Sequence, residues 1–311
     1  MTLAVYTHSA CLDHDTGPAH VERPERLSAV TGALRDAFGE ALHWHDAPRA
    51  HRGALLRVHA PSLLDAVLET HPAQPILLDP DTILSPASAE AALRAAGAAV
   101  AAVDAVLGGG DKRAFCAVRP PGHHATADTA MGFCLFNNAA VAAAHALDRH
   151  GLARVAIVDF DVHHGNGTQA IFEQEPRVLY LSSHQSPLYP GTGLADERGV
   201  GNIVNAPLPP GTGSIGFRSA WRDRLLPALD PFAPQLLLVS AGFDGHWRDP
   251  LAQLQLQAGD YAWLTGELVA IADRHAHGRI VSMLEGGYDL EALRECSVAH
   301  ARALLTPLAG E

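Results

Sequence analysis

Six short apolar runs punctuate the chain, at residues 3–6, 114–118, 155–160, 178–181, 236–240 and 279–284. Each is nearly continuous rather than alternating, as in strands covered on both faces. Between them lie helix-like stretches at residues 87–107, 137–150, 214–229 and 257–275. The first is alanine-rich and stops at Gly108-Gly109-Gly110, and the second begins at Asn137-Asn138, a pair suited to capping. Strands alternating with helices predict an α/β fold with a mostly parallel sheet and helices on both faces. No repeat, charge block or low-complexity linker divides the chain, so a single domain over residues 1–311 is expected. Two proline-bearing loops, residues 186–193 and 206–213, are longer than a minimal scaffold needs and are candidate active-site loops.

Composition changes this picture in three ways. With 311 residues, 48% of them hydrophobic, the chain can bury a sizeable core. A formal charge of −12, from 34 acidic residues against 22 Lys and Arg, argues against nucleic acid and fits cationic ligands better. No apolar run reaches the roughly 18 residues of a membrane span, and the start has no basic segment followed by an apolar one. Neither a membrane partner nor a secretory leader is expected. The four cysteines lie far apart with no C-x-x-C, which points to a reduced, cytoplasmic setting rather than to disulfides or a zinc knuckle. Histidine stands out, with 19 copies, two pairs of them adjacent.

Chemistry collects where apolar runs end. Residues 114–118 lead into Arg119-Pro-Pro-Gly-His123-His124, and residues 155–158 into Asp159-Phe-Asp161-Val-His163-His164-Gly-Asn166. Residues 236–240 lead into Ala241-Gly-Phe-Asp244, and residues 279–284 into Glu285-Gly-Gly-Tyr288. In open α/β sheets, ligands bind beyond the carboxyl ends of strands, so four such ends can share one pocket. Asp161 and His163 are two residues apart and in extended chain point the same way. With Asp244 they make three protein ligands and leave a fourth position open, the pattern of a catalytic zinc. Adjacent His123 and His124 cannot easily share that ion and suit acid–base work. Asp159 can orient one of them and raise its pKa, and Asn166 can accept a hydrogen bond from the other. Tyr288, after two glycines, can donate to a developing oxyanion.

The segments RPPGHHA, DFDVHHGNGTQ, SAGFD and LEGGYD, in this order and spacing, resemble the zinc-dependent histone deacetylase family. Its prokaryotic members include acetylpolyamine amidohydrolases and acetoin-utilization-type proteins. HVERPER at residues 20–26, GFCLFNN at 132–138 and PGTG at 190–193 extend the match from about residue 4 to 300. Val21 stands where the family has proline. The resemblance implies a bacterial deacetylase with a single-domain arginase–deacetylase fold and a central eight-stranded sheet. It implies one Zn2+ on Asp161, His163 and Asp244, with His124 as general base and then general acid. His123, paired with Asp159, would be its electrostatic partner, and Tyr288 would hold the substrate carbonyl. Gly132, Phe133 and Tyr189 would line a narrow tunnel, and Arg26 would lie near an acetate-release channel. It also implies a structural K+ near Asp159, Asp161, His163, Ser182 and Ser183. It leaves open a second near Phe172 and Val178.

Asn166, the EGGY ending and the run from Asp244 to Leu251 resemble the class II branch. Leu251 stands where polyamine-selective eukaryotic members carry glutamate, which favours an acyl-lysine side chain. Acetylpolyamine remains the alternative substrate, because prokaryotic polyamine enzymes recruit acids from a dimer loop. Asp81 is either a rim acid for the substrate backbone or an ammonium, or a simple turn acid. Self-association is left open. An arginase-like site would need a carboxylate at position 165, where this chain has Gly165. A silent scaffold would have a broken site, and here every expected ligand and acid–base group is present.

Overall fold

Runs that read as continuously apolar become the fully buried middle strands, and runs too polar to be read from the sequence lie at the edges. The computed structural model describes residues 2–306, and Met1 and residues 307–311, part of the expected domain, lie outside the described residues. The strands are β1 (Leu3–Thr7), β2 (Leu42–Asp46), β3 (Ile76–Asp79), β4 (Thr82–Leu84) and β5 (Arg113–Cys116), then β6 (Val155–Asp159), β7 (Val178–Gln185), β8 (Ile203–Leu208), β9 (Leu236–Ala241) and β10 (Ile280–Leu284). Eight of them form one sheet in the order β2-β1-β5-β10-β9-β6-β7-β8. Every neighbouring pair in it is parallel. The small antiparallel hairpin β3–β4 stands apart.

The helices are α1 (Pro24–Phe38), α2 (Arg52–Leu55), α3 (Pro61–Leu68), α4 (Ser88–Leu107), α5 (Asn138–Arg149), α6 (Asn166–Phe172), α7 (Ser214–Ala220), α8 (Leu226–Phe232), α9 (Ala258–His275) and α10 (Leu290–Leu304). One layer is α1, α10 and α9, the other α4 and α5, so helices cover both faces of the sheet. Asn137 caps α5, its side chain accepting from the Ala140 N–H. The helix expected at 214–229 is α7 and α8 joined by a π-helical turn, Trp221–Leu225.

β6, β9 and β10 are buried along their whole length. β7 runs four residues past its expected end because Ser182, Ser183, His184 and Gln185 are buried although polar. A buried polar stitch ties the α1–α10–α9 layer to the sheet: His300 bonds Thr265 on α9 (2.7 Å) and Ser282 on β10 (2.8 Å). Among the described residues no helix is long and apolar enough to cross a membrane, and all four cysteines are buried and free.

Candidate active site

β5, β10, β9 and β6 are consecutive in the middle of the sheet. All run the same way, so the four chemical segments read from the sequence emerge side by side at their carboxyl ends.

Asp161, His163 and Asp244 meet there, with one ligand atom from each lying within 4.8 Å of the others. His163 Nδ1 lies 3.2 Å from Asp161 Oδ1 and 3.1 Å from Asp244 Oδ2. All three side chains are buried. Two glycines make room for the carboxylates. A Cβ on Gly242 would sit 2.0 Å from Asp161 Oδ2, and one on Gly286 would sit 2.0 Å from Asp244 Oδ2. Burial, then Asp161, raise the Asp244 pKa to about 6. Burial opposes a charge on His163, but the two carboxylates raise its pKa to about 10. Two buried carboxylates thus create a strong demand for positive charge at Nδ1. A divalent cation held by two oxygens and one imidazole nitrogen meets the same demand, so the residues fit zinc.

The two histidines of the RPPGHHA segment have opposite environments. His123 Nδ1–H donates to Asp159 Oδ2 (3.0 Å), which also accepts from the Tyr180 hydroxyl (3.0 Å). Burial works against a charge on His123, but Asp159 and then Asp161 raise its pKa to about 10. His124 Nδ1–H donates to the neutral Asn166 amide oxygen (2.8 Å). Burial, then His123 and His163, push His124 well below the usual imidazole range. One ring is held charged and the other neutral, with Nε2 of His124 left as a free base. Such divergence between neighbouring titratable groups separates acid–base roles. Gly165 packs against this pair: a Cβ there would lie 2.3 Å from Asp159 Oδ2, so the position cannot supply another carboxylate ligand.

Three carboxylates that the sequence reading did not select hold the site in register. Glu285 Oε2 accepts from the Gly122 N–H (2.6 Å) and the His123 N–H (3.2 Å), while Oε1 accepts from the Ser240 hydroxyl (3.1 Å). Asp249 Oδ2 accepts from the Tyr288 N–H (2.8 Å) and Oδ1 from the Leu251 N–H (3.0 Å). Glu22 pairs with both Arg119 and Arg26. Arg26 in turn donates to the Gly287 and Glu285 carbonyls and lies 4.9 Å from the centre of the Tyr288 ring. Its Nε and Nη2 donors are therefore spent on the loop that carries Tyr288, and Nη1 on Glu22. Burial leads in raising the Tyr288 pKa well above the ordinary phenol value, so its hydroxyl stays a donor.

A cavity of about 250 Å³ opens onto these groups, lined by Asp81, His124, Gly132, Phe133, His163, Leu188, Tyr189, Leu251 and Tyr288. Every tunnel and rim residue expected from the sequence is in that lining, and Leu188 is the addition. The Tyr189 ring packs edge-on against His124, with centroids 5.1 Å apart, and Phe133 packs edge-on against Tyr288 at 5.9 Å. Asp81 lies in the β3–β4 turn, lines the cavity, and accepts from the Gly132 N–H (3.1 Å).

Asp159 and Ser182 are direct neighbours in the β6–β7 register. The Ser182 hydroxyl bonds His184 (2.9 Å), and the Ser183 hydroxyl accepts from the Trp221 indole N–H (3.1 Å). Where a second potassium was left open, near Phe172 and Val178, the Phe172, Glu175 and Val178 carbonyls all lie within hydrogen-bond distance of Asn202 Nδ2, at 2.7, 3.0 and 2.8 Å.

The family described as "Histone deacetylase domain" matches residues 20–304. A "Probable deacetylase" of Archaeoglobus fulgidus is 40% identical over 306 residues, covering 94% of this chain and 82% of that protein. The human "Polyamine deacetylase HDAC10" is 39% identical over 317 residues, covering 95% of this chain and 47% of that protein. The crystal structure of the HDA15 HD domain superposes with a TM-score of 0.92 at 38% identity, covering 98% of this chain and 88% of that one.

Proposed function

The chain belongs to the histone deacetylase family, and from that premise we propose that it is a zinc-dependent amidohydrolase that removes acetyl or other acyl groups from lysine ε-amines. The observation that carries this reading is the convergence of Asp161, His163 and Asp244 with neutral His124 and protonated Tyr288 on one narrow cavity.

Asp161, His163 and Asp244 would hold the zinc. When bound there it polarises an amide carbonyl and acidifies water. The chain's own groups do the rest. His124 takes the water proton at Nε2 and returns it to the departing amine, since an amide nitrogen leaves only when protonated. His123, kept charged by Asp159, stabilises the negative charge that gathers beside it. The Tyr288 hydroxyl donates to the oxyanion, a contribution of about 3–4 kcal/mol for one well-placed donor. Phe133, Gly132, Tyr189 and Leu188 exclude water from the substrate's aliphatic stem, and Leu251 and Asp81 meet the backbone or amine beyond that stem at the mouth.

Leu251 at the mouth supports the lysine reading. The likeness to a protein named a polyamine deacetylase keeps acetylpolyamines as the second reading. The buried oxygens of Asp159 and Ser182, adjacent in register, support one structural potassium. We take residues 1–311 as one domain, and four buried free thiols favour a reduced cytoplasm. The net charge of −12 argues against nucleic-acid partners.

Purified protein carrying one equivalent of zinc is to be compared on acetyl-lysine peptides, longer acyl-lysines and acetylputrescine. Turnover lost on metal removal and restored by zinc, with kcat/KM highest on acyl-lysine, is the expected result. A tenfold preference for acetylputrescine would transfer the function to the second reading, and no turnover of any of them would end both.

A further inference from the structure

We propose that Asp104, His145 and His150 form a second divalent-cation site, at the amino-terminal end of the strands and so away from the active site. Asp104 lies in the last turn of α4, His145 one turn from the carboxyl end of α5, and His150 caps α5. Both histidines aim Nε2 at the same oxygen, Asp104 Oδ1, each at 2.7 Å. One carboxylate and two imidazoles with their ligand atoms within 4.8 Å make a donor set suited to zinc and its neighbours.

Two further features favour a cation. The carboxyl ends of two helices meet here, and each presents partial negative charge to whatever sits between them. The site also borders a cleft of about 440 Å³ through which an ion can enter. Arg49, Arg57 and Arg149 line that cleft; Glu90 (2.6 Å) and Asp148 (3.2 Å) balance the first two, and Arg149 has no carboxylate partner among the described residues. Ligand atoms about 2.0–2.1 Å from a tetrahedral zinc stand roughly 3.3 Å apart. The present contacts must therefore open by about 0.6 Å, a small rotation for the exposed Asp104 side chain.

The position gives the ion a structural task. α4 leads into β5 and α5 leads into β6, the strands that carry the histidine pair and two of the proposed zinc ligands. A cation bridging the two helix ends would brace both strands from behind without touching substrate.

The test counts metal. Wild-type protein loaded with excess zinc and dialysed against a weak chelator is expected to hold two equivalents. His150→Ala and Asp104→Asn are expected to hold one, with unchanged deacetylation and unchanged secondary structure. The thermal midpoint of the wild type should rise between the first and second equivalents, and those of the variants should not. Variants that hold as much zinc as the wild type would overturn the proposal: the histidines would then serve only as hydrogen-bonding groups at the helix ends. Loss of the active-site ion would lower wild type and variants alike by one equivalent, and failure of the deacetylase reading would show as absent turnover; neither alters the difference of one equivalent between wild type and variants.

Discussion

Replacing Asp249 with alanine removes the one carboxylate that holds both the oxyanion donor and the tunnel mouth. Tyr288 follows Gly286 and Gly287, so its own backbone gives it little rigidity. Its N–H is anchored on Asp249 Oδ2 at 2.8 Å, and the Leu251 N–H on Oδ1 at 3.0 Å. Asp249 is only 6% exposed, so water cannot simply take its place. A buried N–H left without an acceptor costs about 1–3 kcal/mol. If the Tyr288 loop shifts to regain a partner, that energy reappears in the barrier as roughly a 5- to 150-fold loss of kcat. The loss of Tyr288's own hydroxyl, about 10²–10³, is the ceiling. A thermodynamic cycle separates positioning from general damage. Asp249→Ala should lower kcat in the wild type but add almost nothing in a Tyr288→Phe background, whereas a structural defect would add in full. KM should change less than kcat for a short substrate that does not reach Leu251. Equal losses in both backgrounds would refute the positioning role.

Gly286→Ala should leave the protein folded but unable to retain zinc, because its Cβ would lie 2.0 Å from Asp244 Oδ2; full metal occupancy by elemental analysis would contradict the cradle described above. Stability should fall as pH drops from about 6.5 toward 4. Burial lowers the pKa of His59 to about 4 and of His300 to about 3, so the unfolded chain takes up these protons first. Each contributes a loss of up to about 3 kcal/mol over that range. Glu22 acts at lower pH: burial raises its pKa, but Arg119 and Arg26 pull it down to about 2, so its contribution persists to about pH 4.5 and disappears toward pH 2. Urea melts at pH 7 and 5 should therefore show a smaller drop for His300→Gln than for wild type, and an unchanged drop would be the failing result. Leu251→Glu should shift the ratio of kcat/KM for acetylpolyamine over acetyl-lysine peptide several-fold upward, and a ratio that stays put would remove Leu251 from the selectivity argument.

Burial decided which elements could be read from the sequence. β6, β9 and β10 are apolar on both faces and end in polar residues, so both the strands and their chemistry were visible. β2 was not, because Leu-His-Trp-His-Asp is a mostly exposed edge. β8 ends at Pro207-Leu208, which read as the start of a loop; on an edge strand the missing N–H costs no ladder bond. α1 and α10 were passed over because charged residues interrupt their apolar faces. Asp161, His163, Asp244, His123 and His124 bring their chemistry in their own side chains, which a motif displays. Asp249, Glu285 and Glu22 act by accepting from backbone N–H groups or arginines distant in sequence, and only the fold brings those donors together. The Asn202 amide is the sharpest case, since nothing local tells a lone Asn that it will meet three carbonyls.

β10 is the last strand in chain order among the described residues, yet it lies between β5 and β9 in the sheet. Until it is inserted, the chain can form only two separate blocks, β2-β1-β5 and β9-β6-β7-β8. The first carries His123 and His124, and the second carries Asp161, His163 and Asp244. β10 joins them, and Glu285 at its end reaches Gly122 and His123 on one side and Ser240 on the other. During synthesis Asp161, His163 and Asp244 can therefore come together while His124, already made, is not yet docked beside them. The full set of side chains meets only when this closing strand enters the sheet.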